Sequence, residues 1–479
     1  MLSRKIAVLV LLFATFMELL DVTIITVALP SIEADLDATS SQLEWIVSGY
    51  ILAFAVLVIT GGRLGDIFGR KRIFIIGLVG FTVASAACTF ATSADMLVLS
   101  RVIQGAFGAL MIPQALSIIQ VLFSPKERAG VFAALGLVSG LAAVTGPLLG
   151  GYLVTENAFD LGWRSVFVIN LPVGVLLLIA AVIFIPESKS EAKVRLDFLG
   201  VLLISSSLFL LVFALIEGRP LSWPIEIFIM MGLSPVLLAI FIWQQKRRDA
   251  STGSALVPPS LFKSRGYSAG VIVQLAFGSA IGTFFLILII YLQVALGFSP
   301  LEAGLATLPF SLGALVGSGA SVPLVPRLGK YLVLTGSITL IGGYFWITKI
   351  VEAQADNLTG RDLVAAMAIS GLGLAFVVVP LNDVALAETA TTNAGAASGV
   401  LGTFTQIGAA IGIAVVGVVF FGTIDDIFLP EIVREAFING MWVPMGALAL
   451  AAIASTLLPS VKQVAAQKVA ADLIKQVNV

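Results

Sequence analysis

The sequence predicts an all-α polytopic membrane protein: 14 transmembrane helices, built as two six-helix bundles with two further helices inserted between them. Three observations lead there. Apolar residues make up 59% of the chain and charged residues 11%, with a mean hydropathy of +1.07, whereas a soluble domain carries about 45–50% apolar and about 25% charged residues. The apolar residues fall in runs of roughly 20, the length that crosses about 30 Å of hydrocarbon. The basic residues, finally, fall on one side of those runs.

The runs lie at 7–29, 43–61, 73–92, 96–122, 128–152, 165–186, 197–217, 225–245, 267–291, 299–325, 331–351, 361–382, 396–421 and 437–459. The first follows Arg4 and Lys5 as a signal peptide would, but it is longer than the roughly 7–15 residues of a signal core. It also carries two acids and ends at Pro30 without a clear cleavage site, so it reads as a retained span. With the N-terminus in the cytoplasm, 21 of the 27 Lys and Arg fall in inside segments. The outside segments hold only Arg164, Arg219, Lys349, Arg361 and Arg434, and Arg101 lies within a span. By the positive-inside rule both termini are cytoplasmic.

A repeat divides the chain. "LGDIFGRKRIFIIG" (64–77) after the second span resembles "VPRLGKYLVLTG" (325–336) after the tenth, with Gly69 aligned to Gly329 and Arg70 to Lys330. The expected organisation is a six-helix bundle over 1–186, two inserted helices over 187–250, a second six-helix bundle over 251–460 and a cytoplasmic tail over 461–479. Duplicated halves of this size are a transporter architecture, with the substrate site near mid-membrane at their interface.

Several chemistries are excluded. The chain has no histidine, and its single cysteine, Cys88, allows no intrachain disulfide. No metal site is expected, because the usual His and Cys ligands are missing. A nucleophile–His–acid set is impossible, and proton handling near neutral pH has to rest on carboxylates. The lack of a catalytic set disfavours a membrane enzyme, and the lack of a sizeable extramembrane domain disfavours a receptor.

The first span supplies the carboxylates. In "FATFMELLDVTIITVALP" (13–30), Glu18 and Asp21 lie near the middle of the apolar run, where an acid costs about 2.5–3.5 kcal/mol even on the gentler insertion scale. Residues i and i+3 of a helix are about 60° apart, so the two acids share a face with Thr15. Glu18 sits near mid-membrane and Asp21 about 4.5 Å further along. Burial and a like-charged neighbour both favour the protonated carboxyl. The pair can then exchange protons near neutral pH and still neutralise a cation; a structural acid paired with Arg101 is the alternative. Asp383, beside Pro380 and Asn382, is a further substrate-binding candidate or simply a solvated helix end.

Three motifs follow in order. "GGRLGDIFGRKR" (61–72) places Asp66 among four basic residues in a short loop whose glycines, Gly62 and Gly69 among them, allow tight turns. With Arg70 and Lys71 it suits a hinge of ion pairs rather than a loop that only fixes orientation. "LVLSRVIQGAFGAL" (97–110) sets Arg101, Gln104, Gly105 and Gly108 on one face of the fourth span. An intramembrane arginine should face a cavity or a carboxylate, unless it snorkels to the interface. "GLAAVTGPLLGG" (140–151) offers Gly140, Gly146, Pro147, Gly150 and Gly151. Small residues spaced by four let helices approach closely, and Pro147 introduces a bend.

The 61–72 motif resembles the signature of the major facilitator superfamily. The stretch around Arg101 is similar to that family's fourth-helix motif, and G-P-x-x-G-G to the fifth-helix motif found in its exporters. "WRSVFVINLPVG" (163–174), "LDFLGVLLI" (196–204) and "GFSPLEAGLATLP" (297–309) resemble the 14-span drug:proton antiporters, the group that contains quaternary-ammonium and multidrug resistance exporters. The first span is similar to their L-D-x-T-x-x-N-x-A-L-P motif, with Thr26 where Asn is usual. The likeness runs from about residue 8 to 459.

The resemblance implies a secondary active transporter rather than an enzyme: a proton-coupled antiporter that exports hydrophobic, cationic compounds by alternating access. Glu18, Asp21 and Arg101 would couple protons, Glu18, Asp21 and Asp383 would meet substrate, and Gly62, Asp66, Gly69, Arg70 and Lys71 would switch conformation. It implies no cofactor beyond the proton gradient, no nucleic-acid partner, membrane lipids as surroundings, a monomer, and the bacterial inner membrane. The rival expectations are export of an endogenous lipid or metabolite, and proton symport.

Overall fold

The computed structural model describes residues 2–123, 125–157, 160–188, 196–252, 255–385, 394–424 and 429–460. These residues form sixteen α-helices, with a few short 3-10 and π turns between them. The first five are α1 (Leu2–Leu36), α2 (Ser40–Phe68), α3 (Arg70–Thr89), α4 (Ala94–Leu122) and α5 (Pro125–Thr155). The short α6 (Ser165–Val168) and α7 (Asn170–Phe184) follow, then α8 (Phe198–Gly218), α9 (Ile225–Thr252) and α10 (Arg265–Ile290). The series ends with α11 (Pro300–Leu328), α12 (Lys330–Gln354), α13 (Val364–Ala385), α14 (Ala394–Ile424), α15 (Pro430–Gly440) and α16 (Trp442–Ser455).

Among the described residues, 13 stretches are long and apolar enough to cross a membrane, and α5 stands where the fifth span is expected. Single residues, Ile169 and Met441, part α6 from α7 and α15 from α16, so each pair makes one pass. The protein is thus an all-α, multi-pass membrane protein. The expected tail, 461–479, lies outside the described residues.

Local chemistry sets the helix ends. Thr39 and Gln42 form a capping box at the start of α2, and Ser299 and Glu302 form another at the start of α11, each satisfying amides that a helix start leaves bare. Gly69 (φ +108°) ends α2 and Gly329 (φ +50°) ends α11. Both are left-handed, and glycine adopts that conformation without steric cost. One end differs from expectation: Pro30 does not terminate the first span but lies inside α1, which runs on to Leu36. A proline removes one amide and crowds the carbonyl four residues back. Here the buried Leu29 and Ile32 on either side of it keep the helix packed.

The same pairing pattern appears twice. In the first half α1 packs on α5 and α7, α2 on α4, and α3 on α4 and α7. In the second half α10 packs on α14 and α16, α11 on α13, and α12 on α13 and α16. A lysine after each helix break makes a similar contact, although Lys330 aligns with Arg70 rather than Lys71: Lys71 Nζ donates to the Val182 carbonyl (2.7 Å), and Lys330 Nζ to the Thr456 carbonyl (2.6 Å). The halves meet where α5 packs on α11 and α2 on α14.

The inserted pair closes over that second seam. α8 packs against both α2 and α14, and α9 packs on α8. At the end that carries Asp66, the buried Asp197 caps α8 through Gly200 N (3.0 Å). It also accepts from Gln244 (2.9 Å) and Gln245 (2.6 Å) of α9 and lies 3.4 Å from Arg248. Gln245 in turn accepts the amide of Val257, while Arg63 of α2 donates to the Ala255 carbonyl. At the distal end Trp45 of α2 sits among Phe209 and Phe213 of α8 and donates to Glu217 (2.9 Å).

Candidate functional site

Glu18 and Asp21 lie on one face of α1 but in different surroundings. Asp21 is 0% exposed. Its Oδ2 is 2.5 Å from Arg101 Nη1, and its Oδ1 accepts from Gln104 Nε2 (2.8 Å) and Asn170 Nδ2 (2.7 Å). Arg101 is held in turn: Nη1 donates to Gln104 Oε1 (2.6 Å), Nε to the Ile46 carbonyl (3.2 Å), and the guanidinium lies 4.3 Å over the Tyr50 ring. Gln104 also donates to Ser85 (2.9 Å). Five helices, α1 to α4 and α7, therefore converge on one buried ion pair.

Such a pair is costly to desolvate, and full hydrogen bonding offsets that cost. The structure decides between the two expectations for Arg101: it does not snorkel but is 1% exposed and faces a carboxylate. Glu18, 3% exposed, has no arginine against it; its Oε1 accepts from the Tyr50 hydroxyl (3.1 Å). Asp21 is thus saturated with donors while Glu18 keeps accepting capacity. Thr15 and Thr26 turn their hydroxyls back onto their own helix, to the Leu11 (2.9 Å) and Thr23 (2.9 Å) carbonyls. Asp383 lies in α13, but its side chain is outside the described residues.

Helical spacing brought Gln104 onto Arg101's face. Tyr50, Ser85 and Asn170 carry no comparable signal, since each reaches the pair from another helix, although Asn170 stands within the stretch 163–174 that carries the family likeness.

The 61–72 segment, expected as a short loop, is helical on both sides of Gly69, and Asp66 Oδ1 in the last turn of α2 binds Arg70 at the start of α3 through Nη2 (2.7 Å) and Nε (3.1 Å). Gly62 packs near Pro113 of α4, and Gly69 supplies the break between α2 and α3. Glu187, not anticipated from sequence, accepts the amides of Lys71 (3.1 Å) and Arg72 (3.2 Å). Those are bare amides of the first turn of α3, where an anion is favoured. A Cβ on Gly69 would meet the Glu187 carboxyl at 2.8 Å, which an exposed side chain can relieve, so it is the positive φ that calls for glycine there.

The fifth-span glycines face two partners. A Cβ on Gly146 would overlap Thr23, and one on Gly150 would meet Ile24 at 2.6 Å, both on α1. A Cβ on Gly151 would meet the Pro300 carbonyl at 2.5 Å, and one on Gly304 the Pro147 carbonyl at 2.5 Å. Gly146 and Gly150 thus seat α5 within its own half, and Pro147 and Gly151 seat it against α11 of the other. Nearby, the Leu301 amide donates to Thr155 (3.1 Å), and Gln293 donates to the Val27 carbonyl (2.9 Å). These contacts between halves cluster at the end distal to Asp66. Gly140 lies in α5, with its side-chain position outside the described residues.

Comparison with known proteins bears on family and fold. The sequence profile of the Major Facilitator Superfamily matches residues 11–413. A probable actinorhodin transporter from Streptomyces coelicolor is 42% identical over 87% of this chain and 72% of its own length. The tetracenomycin C resistance and export protein of Streptomyces glaucescens is 35% identical over 86% and 75%. The multidrug resistance protein Stp of Mycobacterium tuberculosis is 30% identical over 88% and 76%. Among solved structures, an inward-facing bacterial homolog of the human lysosomal transporter Spinster superposes with a TM-score of 0.63 at 17% identity, covering 95% of this chain and 96% of its own. A peptide transporter POT gives 0.65 at 16%, covering 94% and 95%. At such identities the likeness is one of fold.

Proposed function

The chain belongs to the major facilitator superfamily and is a secondary transporter, not an enzyme; its relatives are antibiotic and multidrug exporters. From that premise we propose that it exports hydrophobic, cationic compounds in exchange for protons, by alternating access between its two halves. One observation carries the proposal. Two buried acids sit one turn apart on α1, one neutralised by Arg101 and the other not.

In this reading Asp21 is the coupling acid. Its proton and the Arg101 guanidinium compete for the same carboxylate, so protonation releases the clamp of α4 and α7 on α1. Glu18 is the acid left to meet a substrate cation, with Tyr50 as its donor. No cofactor takes part; the energy comes from the proton gradient. The protein acts as a monomer in the bacterial inner membrane, with both termini and the Asp66 segment in the cytoplasm. That orientation rests on the skewed Lys and Arg distribution.

A second reading is favoured by the relatives' names, several of which specify a single compound rather than many drugs. On it the cargo is one metabolite of the producing cell. Proteoliposome transport of lipophilic cations against neutral and anionic aromatic compounds, with an imposed pH gradient, separates the two. Gradient-driven movement of cations alone supports the first; movement of neutral or anionic compounds without cations overturns it.

A further inference from the structure

A third acid lies apart from the α1 pair. Glu44, in the second turn of α2, is 3% exposed, and its Oε2 has no hydrogen-bond partner. It points across the seam between the halves: a Cβ on Gly417 of α14 would overlap the Glu44 carboxyl. The seam is roofed by α8, whose distal end brings Glu217 and Arg219 into electrostatic reach. Glu217 is engaged by Trp45 Nε1 (2.9 Å). Among the described residues, α4 brings two further charges to this stretch of α2: Asp95, bound by Gln42 (2.6 Å), and Arg101, bound to Asp21 and to the Ile46 carbonyl. The stretch 399–424 of α14 has no ionisable residue.

We propose that Glu44 is a further proton-binding site, which senses the distal compartment and latches the α2–α14–α8 seam shut. The physical basis is the difference between two states. With the halves pressed together, the carboxyl is buried against a glycine backbone, where an ionised, unpaired oxygen is expensive and the neutral acid much less so. With the halves parted at this end, water reaches the carboxyl and solvates its ionised form. Proton uptake therefore favours closure, and closure holds the proton.

The proton enters from and returns to the distal side, so Glu44 does not add to the number of protons carried per cycle. It makes closure of this end conditional on an acidic distal compartment, which is the direction a proton-driven exporter has to favour. Glycine at 417 is what allows the carboxyl to be covered at all.

The inference rests on alternating access, as proposed above, but its test does not rest on transport. Spin labels at Ala34→Cys and Glu431→Cys, both exposed at the distal end, in a Cys88→Ala background, report the separation of the halves by pulsed distance measurement across pH 4–9. A single linked proton changes the closed-to-open ratio by up to about tenfold per pH unit. The unmodified seam should close as pH falls. Glu44→Gln should stay closed with a distinctly flatter pH response, and Glu44→Asp should regain part of the slope.

Glu18→Gln should keep the Glu44 contribution, which separates this site from the central pair. Gly417→Ala, which displaces the carboxyl, should lower the closed fraction at every pH. A pH response in Glu44→Gln equal to that of the parent, or a Gly417→Ala seam as closed as the parent's, would overturn the latch. Failure of proton-driven transport with this pH response intact would overturn the antiport reading alone.

Discussion

Arg101 of α4 and Asp21 of α1 meet at 2.5 Å in a site from which solvent is excluded on both sides. Among the described residues, neither forms a second ion pair. Breaking a buried pair by removing one partner costs about 3–5 kcal/mol, because the survivor is left charged and unpaired.

Asp21→Asn should therefore abolish proton-driven export and also lower the thermal stability of the purified protein. Adding Arg101→Gln should recover much of the stability and none of the transport. Melting curves and proteoliposome flux measured side by side give the two readouts. Full proton-driven flux in Asp21→Asn would remove Asp21 from the coupling role.

Glu18 is the acid without an arginine, so its loss should be milder in stability and sharper in energetics. If both acids load protons, two enter per monovalent cation expelled, and the membrane potential contributes about 2.3 kcal/mol per 100 mV. Glu18→Gln should make export electroneutral without eliminating it. Flux at zero pH gradient under an inside-negative potential reads this directly. An unmodified protein that gains nothing from the potential would leave Glu18 as a binding or structural acid.

Asp66, in the last turn of α2, is bound to Arg70 at the start of α3, about 24 Å by helix rise from Tyr50 of the same helix, the donor to Glu18. Asp66→Ala should slow turnover while changing the substrate Kd by less than about threefold, under ~0.7 kcal/mol. Equilibrium binding in detergent together with single-turnover flux tests it. Weakened binding at unchanged turnover would contradict a switching role.

The glycines of α5 should separate by partner. Gly151→Ala presses a methyl onto Pro300 and Leu301 of the opposite half, so it should hinder closure at the distal end and slow transport. Gly150→Ala presses on α1 of the same half and should mainly cost stability, about 1–3 kcal/mol for an overpacked site. Thiol-labelling rates at the distal end should rise in the first variant and not in the second.

Much of this molecule was legible in its sequence, for a reason particular to membranes. A segment that crosses hydrocarbon has to be apolar over its whole length and satisfy its own backbone, so span number and the repeat of halves could be read from composition and spacing. Glu18, Asp21 and Arg101 stood out because lipid makes every buried charge conspicuous.

What the sequence could not supply was the identity of partners across helices. Periodicity places Asp21 and Glu18 on one face of α1, yet it cannot say that Asn170 and Gln104 saturate one acid and Tyr50 alone meets the other. It marks four glycines in α5 without saying that Gly150 faces α1 and Gly151 the opposite half. Nothing in the spacing singles out Glu44, at the start of the second span, or Glu187, just beyond the sixth. Only the packing of α2 on α14 buries the first, and only the turn at Gly69 brings the amides of α3 to the second. A helix sets which side chains share a face; which neighbour that face meets is fixed by the simultaneous packing of all the others.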